Sequence, residues 1–361
     1  MIVPKFMRAR WTGSLIFKLK LLPVVQWGRS VFQTLRPKSL TPPIPTELII
    51  ETSSTCNLGC PLCPTGSKTG KLPRLFLTPE NLKGFLRHFP DLRLVMLYSW
   101  GEPLLNPKFF DLLEIYRAHN IDTQLDTNFS LPLSDEFLDK LTTCGVSVVR
   151  TSIDGASQKT YTVYRKYGNF KLAFGNMRKI RAIQKKAGRT KPLVYWKFLV
   201  HKHNEHEIEK AKKMAASIDV PILFDQFMLS EDIPDVRIAT DSLAERKDYW
   251  LPRNRKYLSP YYRSGPRKPP YLQHPCPWLF TSASIHPDGS VLPCCYAANS
   301  SSSMGNLNTQ SFEEIWNSPK YQYARSLFMP GVTVPRVPVV CEVCPIYKQV
   351  KRRYPPSAQK S

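Results

Sequence analysis

The stretch Glu47–Gly66, ELIIETSSTCNLGCPLCPTG, decides how this chain folds. Its start, ELIIETS, is rich in β-branched residues and predicts a buried strand. Three cysteines follow, Cys56, Cys60 and Cys63, with the spacing C-x3-C-x2-C. A structural zinc ion takes four protein ligands and a disulfide takes two cysteines. Three thiolates on one loop after a strand therefore indicate a metal centre that keeps one coordination position open.

Beyond this stretch, the chain alternates between apolar strands and helices. Six predicted strands and five predicted helices run from Glu47 to Leu229. Thr78 and Ser134 cap two of the predicted helices, and Gly145 ends one of them. Strands that are apolar throughout are typical of a parallel sheet covered by helices. We therefore predict an α/β fold, a partial (β/α)6 TIM-like barrel, with its active site at the carboxyl ends of the strands.

The cysteine content and the charge restrict what the chain binds. Nine cysteines in 361 residues are too few for a disulfide scaffold, and they cluster rather than spread. This pattern indicates metal ligation in the reducing cytoplasm. The formal net charge of +23 favours an anionic partner. Because no recognisable RNA-binding module accompanies the charge, nucleic acid is not expected as a partner.

The first 46 residues contain eight Lys or Arg and no Asp or Glu. Their apolar run is interrupted by Lys18, Lys20 and Pro23, which makes a membrane-spanning helix a poor interpretation. A signal-peptide cleavage site is also missing. A helix lying on an anionic membrane surface fits the composition, and an amphipathic helix packed on the outside of the core is the alternative. We therefore expect a cytoplasmic protein, which the first of these two interpretations would make peripheral on the membrane.

Two motifs at neighbouring strand ends carry a family resemblance. Three thiolates at the first spacing suit three irons of a [4Fe–4S] cluster, whose fourth iron is then free for a non-protein ligand. A zinc ion with a distant fourth ligand is the alternative. After the second strand, YSWGEPLLNP contains Trp100, Gly101, Glu102 and Pro103. Together the two motifs resemble the radical SAM superfamily, over roughly Leu48 to Leu229.

The resemblance implies how S-adenosylmethionine (SAM) is bound. The family's Gly-Gly-Glu-Pro stretch binds the SAM amino group, and Trp100 replaces its first glycine here. Ser152 and Arg165 take the positions of residues that hold the SAM carboxylate, and a guanidinium fork suits that group. Asn128 is expected at the ribose or the substrate, and Val200 or its neighbours beside the adenine. In the family, reductive cleavage of SAM yields methionine and a 5′-deoxyadenosyl radical, which abstracts hydrogen from the substrate.

A second group of cysteines lies near the C-terminus. A zinc ribbon has four cysteine ligands, and this group also has four, namely Cys276, Cys294, Cys341 and Cys344. Their spacing alone therefore does not exclude a zinc site. Behind a radical SAM core, this spacing is similar to that of SPASM and twitch extensions. The similarity implies a small C-terminal cysteine-rich iron–sulfur domain with one auxiliary [4Fe–4S] cluster. Cys295 is the alternative to Cys294 as a ligand.

The predicted organisation has five parts. They are a basic amphipathic N-terminal segment with a linker at 1–46, the radical SAM core at 47–229, a Pro-, Arg- and Tyr-rich linker at 230–275, the SPASM/twitch-like auxiliary cluster domain at 276–348 and a basic tail at 349–361.

The resemblance implies a radical SAM enzyme, and the charge favours a small or lipid-linked anionic substrate. We expect oxidation or rearrangement of a sugar or cyclitol, with an electron donor such as a flavodoxin or a ferredoxin as partner. The alternatives are a peptide maturase, an RNA-modifying enzyme and a non-enzymatic iron–sulfur protein. No catalytic residue is assigned, and the base that an oxidation requires is not identified.

Overall fold

In the computed structural model, residues 39–69, 71, 73–226, 229, 243–259, 262, 276–329, 331–344 and 347 are described. The predicted amphipathic segment before residue 39, the basic tail and most of the 230–275 linker lie outside these residues. Among the described residues, no helix is long and apolar enough to cross a membrane.

Nine strands of the described chain form one sheet, in the order β6-β5-β4-β3-β2-β1-β7-β8-β9. The first six strands are parallel to one another and come from the predicted core. The sheet is open at β6, as a partial barrel requires. The strands are β1 (Glu47–Ile50), β2 (Leu94–Leu97), β3 (Asp122–Thr127), β4 (Val146–Ser152), β5 (Leu193–Val200), β6 (Ile222–Gln226), β7 (Ser284–Ile285), β8 (Ser290–Leu292) and β9 (Gly305–Asn306).

Helices connect the parallel strands and pack on the sheet. The described α-helices are α1 (Pro79–Leu86), α2 (Phe109–Ala118), α3 (Asp135–Leu141), α4 (Gln158–Tyr164), α5 (Phe170–Lys186), α6 (Ile208–Ser217), α7 (Leu243–Trp250), α8 (Trp278–Thr281), α9 (Phe312–Trp316) and α10 (Pro319–Ser326). All six predicted strands and all five predicted helices of the core are present, so the predicted fold class is confirmed. Helix α4 was not predicted, because QKTYTVY is rich in β-branched and aromatic residues that favour strands.

The predicted helix ends are also confirmed. The hydroxyl oxygens of Thr78 and Ser134 each accept a hydrogen bond at 3.1 Å, from the amides of Asn81 and Phe137. Gly145 has a φ of 97°, a left-handed conformation that favours glycine after a helix. These local signals begin and end helices without help from distant residues.

The C-terminal region extends the sheet. Strand β7 lies parallel to β1, with the amide of Glu51 donating to the carbonyl oxygen of Ile285 at 2.9 Å. Strands β7 and β8 form a hairpin. Its turn is centred on Pro287 and Asp288, since the amide of Gly289 donates to the carbonyl oxygen of His286 at 2.9 Å. Proline suits the first central position of such a turn.

Candidate active site

The three N-terminal thiols meet at one cavity. Cys56, Cys60 and Cys63, on the loop after β1, all line a cavity of about 490 Å³. The last residues of β3 and β4 line it too, so it lies at the carboxyl ends of the parallel strands, as predicted. Gly66 lets the loop fold back on itself, because a Cβ atom there would lie 2.5 Å from the amide nitrogen of Cys60.

The electrostatics of these thiols fit metal ligation. Burial, with a smaller contribution from the negative charge of Cys63, raises the pKa of Cys56 and of Cys60 to about 12. Three buried thiolates therefore need a strong positive charge beside them, as metal ions provide. The Arg165 guanidinium, with Nη1 at 3.9 Å from Cys60 Sγ, supplies part of it. Three thiols around an open cavity fit three irons of a [4Fe–4S] cluster.

A buried carboxylate holds the loop that follows β2. Glu51, directly after β1, accepts hydrogen bonds from the backbone amides of Trp100 and Gly101, at 2.7 and 2.9 Å. Glycine is required at position 101, because a Cβ atom there would lie 1.7 Å from the carbonyl oxygen of Ser53. Glu51 was not among the site residues predicted from the sequence. Its signal was a carboxylate placed immediately after three consecutive buried apolar residues.

Glu102 lies at the wall of the cavity. Its carboxylate accepts hydrogen bonds from the Thr127 hydroxyl at 2.7 Å and from the Asn128 amide at 2.8 Å. Burial raises the pKa of Glu102 to about 7, against the opposite effect of these hydrogen bonds. An ammonium group bound here would favour the ionised carboxylate. Pro103 begins a short 3-10 helix, Pro103–Leu105, and is buried behind the cavity wall.

Trp100 links this loop to the C-terminal region. Its indole Nε1 donates a hydrogen bond to the carbonyl oxygen of Ala297 at 3.0 Å. Nδ1 of His286, in the β7–β8 turn, lies 2.8 Å from Oε2 of Glu51, and both side chains are at most 2% exposed. The region that carries the second cysteine group therefore contacts the Trp100–Glu102 loop directly and also through Glu51.

Replacing Glu51 with Ala should lower the melting temperature by about 3 °C or more. The change leaves two amides without their acceptor, and an unsatisfied buried donor costs about 1–3 kcal/mol. A change of 1 kcal/mol in the free energy of unfolding shifts the melting temperature by roughly 2–4 °C in a chain of 150–250 residues, and by less in a longer chain. Glu51→Gln, which keeps an acceptor oxygen, should lose less. Thermal denaturation checks this, with the exposed Glu114→Ala as control. Equal losses for Glu51→Ala and Glu114→Ala would contradict the assignment.

Of the other residues predicted to bind SAM, three line the cavity. Asn128, Ser152 and Arg165 line the cavity together with Trp100, Gly101 and Glu102. Arg165 is oriented by the buried Asp154, whose Oδ2 accepts from Nε at 2.5 Å.

Val200 does not line the cavity. It is fully buried in the main hydrophobic core. Neighbouring side chains of a strand point to opposite faces, and the adjacent Leu199 instead packs with Leu62 and Trp100 in a second cluster beside the cavity.

A set of charged and aromatic side chains completes the cavity wall. We call Tyr98, Asp126, Lys197, Cys295 and Tyr296 the polar wall, because all five line the cavity. Burial lowers the pKa of Lys197, but Asp126 and Asp225 raise it by more, so the ammonium keeps its charge.

Asp126 also pairs with Arg150, whose guanidinium carbon lies 5.2 Å from the centre of the Tyr98 ring. Lys197 and Arg150 were not among the residues predicted from the sequence. Their signal was a single charged residue in each of two otherwise uncharged strands.

The second thiol group is also brought together. Burial raises the pKa of Cys294 well above its usual range, and negative charge on Cys295, Cys276, Cys341 and Cys344 contributes to the rise. Cys276, Cys294, Cys341 and Cys344 fit a metal centre for the same reason as the first three thiols. Cys295 also lines the first cavity.

Within the described residues, no group of three or more His, Cys, Asp or Glu side chains is placed so that it could hold a single metal ion. A cubane cluster distributes its thiolate ligands over separate irons.

Two family profiles match the chain. The radical SAM superfamily profile matches residues 50–215. The profile of SPASM, an iron–sulfur cluster-binding domain, matches residues 276–345. The first match contains the three-cysteine loop and all the predicted SAM-binding residues, and the second contains the four C-terminal thiols.

Curated relatives include three named proteins. The AdoMet-dependent heme synthase of Methanosarcina barkeri is 31% identical over 122 residues, and this match spans 34% of each chain. The tungsten-containing aldehyde ferredoxin oxidoreductase cofactor-modifying protein of Pyrococcus furiosus is 23% identical, over 77% of this chain and 82% of the relative. The PqqA peptide cyclase of Xanthomonas euvesicatoria is 24% identical, over 85% and 82%.

Solved structures share the fold. SuiB of Streptococcus suis, bound to S-adenosylmethionine, superposes with a TM-score of 0.57 at 15% identity, over 84% of this chain and 72% of that chain. The anSMEcpe structure with bound AdoMet gives a TM-score of 0.54 at 20% identity, over 87% and 91%. At these identities the likeness shows a common fold.

Proposed function

We propose that this chain, which belongs to the radical SAM superfamily and carries a C-terminal SPASM domain, abstracts hydrogen from a small anionic molecule held against the polar wall. The expected outcome is oxidation or rearrangement of a sugar- or cyclitol-type substrate. One observation carries the proposal: Lys197 and the three thiols of the first loop line the same cavity of about 490 Å³. A cation in the reaction cavity suits an anionic substrate.

The residues divide the cavity between cofactor and substrate. Cys56, Cys60 and Cys63 would hold the [4Fe–4S] cluster, and Glu102 and Arg165 would hold the amino and carboxylate groups of SAM. When both are bound, the cluster and SAM supply a 5′-deoxyadenosyl radical that abstracts hydrogen from carbon. The protein orients SAM and excludes water from the cavity.

The polar wall would bind the substrate. Lys197 keeps its ammonium group within 3.4 Å of Asp225, which is half-exposed. A substrate carboxylate or phosphate would replace water on the ammonium and form a charge-assisted hydrogen bond. Asp126 and Tyr98, which line the same cavity, would accept from and donate to substrate hydroxyls. A hydroxylated anion therefore matches both the charge and the hydrogen-bonding groups of this wall.

The test measures 5′-deoxyadenosine from the anaerobically reconstituted, dithionite-reduced full chain with SAM. Glucuronate, glucose 6-phosphate and inositol 1-phosphate are compared with neutral glucose and inositol. We expect an anion of this class to stimulate formation and its neutral counterpart not to. Lys197→Met should raise the half-maximal anion concentration roughly tenfold to a hundredfold, since a charged hydrogen bond contributes about 1.5–3 kcal/mol.

Lys179→Met serves as the matched control, because Lys179 is exposed on α5 and pairs with Asp135 on the surface. An equal effect of the two lysine changes would contradict substrate binding by Lys197. Stimulation by peptides and by none of the anions would favour the alternative function below. Failure of the wild-type enzyme to form any 5′-deoxyadenosine would favour a non-enzymatic iron–sulfur protein.

A peptide maturase is the second candidate function. The observation that favours it is the match along 82% of the PqqA peptide cyclase, together with a match along 71% of the mycofactocin maturase MftC of Mycobacterium tuberculosis. In that case the polar wall would bind a side chain of the peptide. A set of synthetic peptides rich in Glu and Tyr, added in place of the anions, separates the two candidates.

The auxiliary cluster, the electron donor and the membrane surface remain predictions. One auxiliary [4Fe–4S] cluster at the C-terminal thiols and an electron donor such as a flavodoxin or ferredoxin complete the proposed reaction. Attachment to an anionic membrane surface, and with it a lipid-linked substrate, rests on the basic segment before residue 39, outside the described residues.

A further inference from the structure

Two adjacent cysteines serve different sites. The Cys294 thiol interacts electrostatically with Cys276, Cys341 and Cys344, and also with the adjacent Cys295. The next residue, Cys295, lines the cavity that also contains the three thiols of the first loop. The four C-terminal thiols complete a set of four without Cys295. The chain therefore carries an additional thiol into the space where the substrate is expected.

The Cys295 thiol interacts with side chains of both sites. Tyr98, Lys197 and Tyr296 line the cavity with it, and the thiol interacts electrostatically with all three. It also interacts electrostatically with Cys294 and Cys276 of the C-terminal group. Tyr98 follows β2, and Lys197 lies in β5, so the thiol of the C-terminal region lies beside side chains from two non-adjacent strands of the parallel sheet. This placement results from β7, which joins the sheet beside β1.

We propose that Cys295 is a catalytic thiol that returns a hydrogen atom to the substrate radical. An S–H bond is weaker than the C–H bonds of a sugar or cyclitol, so transfer from sulfur to a carbon radical is favourable. The S–H bond breaks, the C–H bond forms, and a thiyl radical remains on Cys295. One electron from the low-potential donor, of the flavodoxin or ferredoxin class, and one proton from solvent restore the thiol.

This step decides between the two outcomes of the proposed function, on which it rests. Oxidation would remove a further electron and a proton from the substrate radical. Hydrogen return from Cys295 gives a product with the same number of electrons and hydrogens as the substrate. A redox-neutral change, such as inversion at one carbon, is therefore the outcome that Cys295 favours.

Solvent deuterium tests the proposal without a known substrate. In D2O the thiol exchanges to S–D, whereas carbon-bound hydrogens do not exchange. Without substrate, the 5′-deoxyadenosyl radical is expected to take its hydrogen from this thiol, which lines the same cavity. The reduced, reconstituted full chain with SAM alone should therefore form 5′-deoxyadenosine that carries one deuterium. Cys295→Ser keeps the size of the side chain but has an O–H bond too strong to give up its hydrogen. We expect its 5′-deoxyadenosine to contain at least tenfold less deuterium.

Cys144→Ser is the matched control. Cys144 packs against the main core, and its Sγ lies 3.3 Å from the carbonyl oxygen of Leu141. This variant should retain the deuterium of the wild type. Equal deuterium in wild type and Cys295→Ser would overturn the proposal, as would wild-type product without deuterium. Absence of any 5′-deoxyadenosine from the wild type would instead refute the proposed function.

Iron content and alkylation give readouts that do not depend on turnover. Cys295→Ser should bind as much iron as the wild type, whereas a loss of iron would make Cys295 a ligand and overturn the proposal. In the reconstituted wild type, N-ethylmaleimide should label Cys295, and saturating SAM should slow this labelling at least tenfold. Labelling of Cys144 should not respond to SAM. Labelling of Cys295 that is equally fast with and without SAM would place the thiol outside the reaction cavity.

Discussion

Alanine at Cys56, Cys60 or Cys63 is expected to reduce 5′-deoxyadenosine formation to background in each of the three variants. All three thiols line the same cavity, and each would hold a different iron of one cluster. Loss of one thiolate leaves an iron without its protein ligand, so neither the cluster nor SAM is held in place. The assay uses the anaerobically reconstituted, dithionite-reduced chain with SAM and quantifies the nucleoside chromatographically.

Cys144→Ala provides the control for this experiment, because Cys144 lies in the core beyond the cavity. It should retain wild-type formation of 5′-deoxyadenosine. Retention of activity in any one of the three loop variants would show that this thiol is not a ligand. Iron should fall from roughly eight to roughly four atoms per chain in each variant, the difference of one cubane.

The second large effect concerns the C-terminal thiols. Alanine at Cys276, Cys294, Cys341 or Cys344 should remove the other four irons, so that about four of about eight remain per chain. The reason is the same: the four thiols interact electrostatically with one another, and the positive charge of a bound metal centre is what would make their thiolates stable. Iron and zinc are both measured by plasma emission, on protein reconstituted with both metals available.

Two further variants test this expectation. The triple variant that lacks Cys56, Cys60 and Cys63 should keep about four irons, in the auxiliary site alone. Cys295→Ala should keep all of them, since its thiol lines the other cavity. A colourless triple variant with one zinc per chain would contradict the auxiliary cluster. Zinc has no accessible redox change, so it would hold the C-terminal domain together without taking part in electron transfer.

The order of strands and helices could be read from the sequence. Apolar strands alternate with capped helices, and both signals are local, because capping by Thr78 or Ser134 involves residues three apart. The unpredicted helix α4 shows the limit of such reasoning. Its residues favour a strand, but the Ser157 cap and the burial of Thr160 and Tyr161 against the core stabilise a helix. Tertiary packing overrode the local preference.

The candidate site could be predicted in part. The spacing of the first three cysteines and the Trp100–Pro103 stretch were recognisable because each motif is contiguous in the chain. Glu51, Lys197 and Arg150 were not recognisable, since each is a single charged residue in an apolar setting and its partners are far away in sequence. Trp100 was seen as a departure from the family, but its hydrogen bond to Ala297 spans almost 200 residues.

The sequence by itself determined the α/β core, the two groups of thiols and the loops that carry them, because periodicity, caps and ligand spacing act over a few residues. Only the tertiary structure decided that Cys295 lines the first cavity while the adjacent Cys294 interacts with Cys276, Cys341 and Cys344. Both residues follow β8, which joins the sheet through β7, and β7 pairs with β1 more than 200 residues earlier in the chain. This placement depends on backbone hydrogen bonds between distant segments, which periodicity and ligand spacing do not encode.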